Sequence, residues 1–66
     1  MKEIVMVNKA KNEMRRLTVA DNNFVLVEGK RIGEWDVYFA MKTEGTLHTV
    51  ENYYKNNFGY VRAFAQ

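Results

Sequence analysis

The sequence predicts an α+β fold of order ββββαβ: a four-stranded antiparallel meander, one helix and a fifth, C-terminal strand. Three observations predict it. Residues 34–42 alternate strictly, with Trp35, Val37, Phe39 and Met41 on one side and Glu34, Asp36, Tyr38, Ala40 and Lys42 on the other. Residues 47–58 carry Leu47, Val50, Tyr54 and Phe58 at helical spacing. The remaining apolar runs are short and are separated by Asn-, Asp- and Gly-containing breaks, as strands joined by turns are.

Each element has its own grounds. Residues 3–7 (Glu-Ile-Val-Met-Val) are β-branched and nearly continuous in apolar character, which predicts a first strand. Residues 8–13 are polar and read as a loop or one helical turn. A second strand is expected over 15–20, where Leu17 and Val19 alternate with Arg16 and Thr18; a short helix over 9–17, through Ala10, Met14 and Leu17, is its rival. Asp21-Asn22-Asn23 supplies a turn, because Asp and Asn tolerate the left-handed backbone that turns use. Residues 24–28 form the third strand, and Gly29 to Gly33 the connection to the fourth. Thr46 suits a helix N-cap, Glu51 and Lys55 form an exposed i, i+4 pair, and Asn56, Asn57 and Gly59 end the helix. Residues 59–65 alternate again and make the last strand. A crossover through the helix directs that strand parallel to the fourth. A small five-stranded barrel is the alternative fold if the helix is only a turn.

The chain has 66 residues and forms one domain, residues 1–66. A domain of this size buries only roughly 60% of the surface its unfolded chain exposes. With no cysteine it has neither disulfides nor thiolate metal ligands, and with one histidine, His48, no metal site is expected. His48 falls off the apolar stripe and reads as exposed. Aromatic residues are 14% of the chain, more than so small a core takes up, so an exposed aromatic patch and a homo-oligomer or protein partner are expected. The first apolar run is too short for a signal peptide or a membrane span, and a cytoplasmic location is the expectation.

Catalysis is not expected. There is no serine or cysteine nucleophile, and Glu34 with Asp36, the one closely spaced carboxylate pair weighed, reads as a solvated strand face. No cofactor is expected. The leading expectation is a non-catalytic inhibitor, adaptor or regulator that docks on another protein, of the kind common among accessory and anti-defence proteins of bacteria and their phages. Its anchors are Tyr60, Arg62 and Phe64, which share one face of the last strand, together with Tyr38. This requires that Val61, Ala63 and Ala65 pack under the helix; the opposite reading buries the rings and brings Arg62 to the rim. The alternative function is nucleic-acid or nucleotide binding, with rings stacking on bases and Arg15, Arg16, Lys30 and Arg31 contacting phosphates. Lys9 and Lys11 extend the Arg15–Arg16 cluster, whose duller reading is a solvated loop and strand edge, while the duller reading of Lys30 and Arg31, between Gly29 and Gly33, is a plain hairpin loop. A third possibility is a structural dimer that buries the aromatic face.

Overall fold

The computed structural model describes residues 2–63. Strands β1 (Glu3–Asn8), β2 (Glu13–Asp21), β3 (Phe24–Arg31) and β4 (Val37–Glu44) run as an antiparallel meander, followed by helix α1 (Leu47–Phe58) and the two-residue strand β5 (Val61–Arg62). The sheet order is β4-β3-β2-β1-β5, so α1 carries the chain from one edge of the sheet to the other. β5 pairs antiparallel with β1, which leaves it running in the same direction as β4 from the opposite edge. The sheet is open; it does not close into a barrel.

The turns follow from asparagine. Asn12, at φ 60°, closes the β1–β2 connection, and Asn23, at φ 70°, closes β2–β3. The second strand begins at Glu13, earlier than the sequence pattern indicates, and the rival helix over 9–17 does not form. Every residue from Glu13 to Thr18 has a β1 partner, from Asn8 back to Glu3, so ladder pairing overrides the helical spacing of Ala10, Met14 and Leu17.

Helix α1 forms as its caps predict. The Thr46 hydroxyl accepts the Thr49 N–H, and the Thr49 hydroxyl accepts the Thr46 N–H in return. At the other end Gly59 takes the left-handed conformation (φ 74°), and the Gly59 and Tyr60 N–H groups return to the carbonyls of Lys55 and Tyr54. Val50 is buried, with Leu47 and Tyr54 packed beside it. Together with Met6, Leu17, Val25, Val27 and Tyr60 they make one core on one face of the sheet. Asn8, at the end of β1, is buried too: its amide donates to the Phe58 carbonyl at 2.6 Å and fastens the helix end to the sheet.

The fourth strand departs from its sequence pattern. It starts at Val37, two residues after Trp35, and a register shift falls between Gly29 and Lys30, whose partners are Phe39 and Val37. Tyr38 is the extra residue of this bulge. An inserted residue reverses which side chains face the core. Val37 therefore lies on the open face of the sheet, while Phe39 and Met41 lie on the helix side. Trp35, expected in the core, is 93% exposed, and Val37 and Met41 are 41% and 48% exposed.

Candidate functional site

The helix rests mainly on β1 and β2. Over β4 the same face of the sheet is left open, and a groove of about 740 Å³ runs between β4 and α1. One wall is Tyr38, Met41 and Thr43 from β4; the other is Thr49, Tyr53 and Phe58 from α1. A groove of this size lies within the range of small-ligand and peptide side-chain sites.

Arg15, on the central strand β2, forms its floor. The guanidinium lies 4.8 Å from the Phe39 ring centre, 5.3 Å from Tyr60 and 5.9 Å from both Tyr38 and Tyr54. Four π-faces within about 6 Å offset part of the cost of burying a cation. Nη1 donates to Glu13 Oε1 and to the Met14 carbonyl, each at 2.9 Å. The Tyr38 hydroxyl also donates to Glu13 Oε1. Arg15 Nε is buried and has no acceptor among the described residues. The Tyr38 hydroxyl, and then Arg15, hold the Glu13 carboxyl below its usual range. Burial opposes the charge on Arg15, but its hydrogen bonds to Glu13 and Tyr38 outweigh that and raise its pKa. Burial raises the Tyr60 phenol, with the Arg15 charge opposing. The floor is thus a neutralised pair beneath a ring-lined, mostly apolar trough.

The structure brings Tyr38 and Tyr60 together around Arg15, while Arg62 is held by Glu51 instead. Tyr60 is only 2% exposed, so the last strand buries its ring under the helix and does not offer it as a surface anchor. Arg62 is at the rim, where Nε and Nη2 meet both oxygens of Glu51 at 2.6 and 3.1 Å and lower its pKa. Phe64 lies outside the described residues. The reason for the inversion is volume: the space beneath α1 is filled by Tyr60 against Tyr54, ring centres 5.5 Å apart, and Val61 on the other side is 57% exposed.

The four basic residues do not converge. Successive strand residues face opposite ways, so Arg15 and Arg31 fall on the helix side and Arg16 and Lys30 on the open side. Arg16 is held by Glu28 at 2.8 Å, and Lys30 lies 5.8 Å from the Trp35 ring centre. Glu34 and Asp36 are exposed on either side of Trp35. His48 is exposed and contacts Asn52. No cluster of three or more metal-binding side chains occurs among the described residues, and no helix there is long and apolar enough to cross a membrane.

Sequence reasoning missed Tyr53, Met41 and Phe58 as groove residues and Trp35 as a surface residue. Tyr53 was legible in principle, since it sits off the apolar stripe of α1. Comparison with protein-family models, curated proteins and solved structures finds no match.

Proposed function

We propose that this is a non-catalytic binding protein, an adaptor or inhibitor, that docks on another protein by adding an extended segment of it to the β4 edge. The observation that carries the reading is the juxtaposition of an eight-residue strand with no neighbour on its outer side and an open aromatic groove directly beside it. Strand addition gains affinity from main-chain hydrogen bonds and specificity from alternate side chains entering a pocket.

The phase of the ladder names the backbone groups involved. The Gly45 N–H donates to the Asn23 carbonyl at 2.7 Å, and antiparallel pairs alternate between bonded and non-bonded. Val25 with Thr43, Val27 with Met41 and Gly29 with Phe39 are then the bonded pairs. The N–H and C=O groups of Ala40, Lys42 and Glu44 point away from the sheet. A partner strand would bond there and send every second side chain over Met41 toward Tyr53 and Arg15. Charged Lys42 and Glu44 limit indiscriminate pairing along this edge.

The test is a selection from a random peptide library on the immobilised protein, followed by binding to two variants. Ala40→Pro removes an outward N–H and spares the β3 ladder; Tyr53→Ala opens the groove wall. The expected result is a family of extended peptides with apolar residues at every second position, bound at least tenfold more weakly by each variant. Peptides that bind both variants as tightly as the parent, or no enriched family at all, would overturn the reading.

A further inference from the structure

The face of the sheet away from α1 has no covering layer among the described residues, and its side chains form a pattern. Following the register from strand to strand, Val37 stands beside Lys30, Lys30 beside Met14, Met14 beside Val7 and Val7 beside Val61. This is one row across all five strands, apolar at every position except Lys30. Four inter-strand spacings make it roughly 19 Å long. Trp35, two residues before Val37, lies on the same face, where the Lys30 ammonium stands 5.8 Å from its ring centre.

We infer that this row is the contact between two copies of the chain, packed face to face about a two-fold axis through Met14, in four layers of helix, sheet, sheet and helix. The inference is independent of the groove, which lies on the other face.

Three observations point to a second copy. The row is centred on the sheet: β2 is the central strand and Met14 the central residue, with Val7 and Val61 on one side and Lys30 and Val37 on the other. A two-fold axis through Met14 and along β2 lays Val37 of one copy over Val61 of the other and the Lys30 stem over Val7, which is the self-complementarity an isologous contact needs. The charges flanking the row on β2 and β3 are already paired within the chain, Arg16 with Glu28 at 2.8 Å. The face therefore has no dominant sign to select an oppositely charged partner or to repel its own copy. The area also fits: with Cα extents of 31 × 24 × 23 Å, one whole face offers on the order of 700 Å² of footprint, close to the roughly 800 Å² per partner of a stable interface. Lys30 is compatible with such burial because its ammonium lies 5.8 Å from the Trp35 ring centre, a cation–π contact that offsets part of the cost of removing it from water.

The test is sedimentation velocity over a wide concentration range, with Trp35 emission read on the same samples. The wild type is expected to reach twice its 7.8 kDa chain mass, with the emission of its single tryptophan moving to shorter wavelength as the dimer fills. Met14→Glu and Val61→Glu lie outside the α1-side core, so both should keep the far-ultraviolet spectrum of the fold and self-associate at least tenfold more weakly. If one of them unfolds, the other decides. The chain has no cysteine, so Met14→Cys with a short bismaleimide should give a cross-linked pair of chains. A wild type that stays at 7.8 kDa at every concentration would overturn the inference. So would a dimer untouched by folded Met14→Glu or Val61→Glu but abolished by Ala40→Pro, which would move the contact to the β4 edge.

Discussion

A methyl group at position 29 would stand where the Phe39 ring lies, 2.8 Å from Cδ2 and 2.9 Å from Cζ. Gly29 is thus a flat place on the sheet that lets the ring lie across β3 and meet the Arg15 guanidinium. Replacing glycine by alanine in a strand is ordinarily mildly stabilising, but here it overpacks a ring that already contacts a cation. Gly29→Ala is expected to cost about 1–3 kcal/mol, and little or nothing in a Phe39→Ala background; a double-mutant cycle by urea denaturation checks this. Beside it, Glu13 has its folded pKa lowered by the Tyr38 hydroxyl and Arg15. A carboxylate whose folded value lies below its unfolded one contributes stability above the unfolded value and loses it as pH falls through the folded one. Glu51, lowered by Arg62, acts in the same direction. Unfolding midpoints measured from about pH 6 to about pH 3 should therefore fall, and Glu13→Gln should fall less steeply, with the remaining slope carried by Glu51. Equal slopes in the two proteins would show that the Tyr38–Glu13–Arg15 cluster contributes no net stability.

At the scale of elements, the order ββββαβ was legible because each signal was local. Thr46 and Gly59 cap α1 through their own neighbours, and Asn12 and Asn23 close turns within a few residues. What was not legible depended on partners distant in the chain. The alternation of Trp35, Val37, Phe39 and Met41 reads as one face only if the strand is regular, and the bulge opposite Gly29 and Lys30 is a property of the β3–β4 pair. One inserted residue moved Val37 to the open face, turned Tyr38 toward Arg15, and released Trp35 into solvent. The groove inherits the same logic. Tyr38 was recognisable as a site residue, yet its role comes from Glu13, some twenty-five positions earlier in sequence, to which its hydroxyl is bonded. The last strand was the reverse case: it is only Val61–Arg62, shorter than the alternation over 59–65 indicated, and although Tyr60 and Arg62 do lie opposite Val61, the volume beneath α1 decided which side was buried.

For the whole molecule, the distribution of charge favours one of the two classes of ligand that the composition left open. The net charge is +2, and a nucleic-acid surface would need that excess gathered on one side. It is instead divided. Arg15 is half-buried and bound to Glu13 on the helix side, Arg16 is bound to Glu28 on the open side, and Arg62 is bound to Glu51 at the rim. The most exposed ring, Trp35, stands between Glu34 and Asp36, whose charges repel a phosphate backbone. Affinity that depends on counterion release needs several unpaired cations along one track. The protein purified gently at low salt is therefore expected to show the absorbance of its one tryptophan and four tyrosines alone, with no excess near 260 nm as nucleic acid gives. Excess removed by nuclease or by raised salt would mean that Lys9, Lys11 and Arg31, three of the cations without a carboxylate partner among the described residues, form a track after all. Excess released only on unfolding would put a nucleotide in the ring-lined groove over Arg15, where the neutral floor and open trough accept an extended peptide in the reading proposed above.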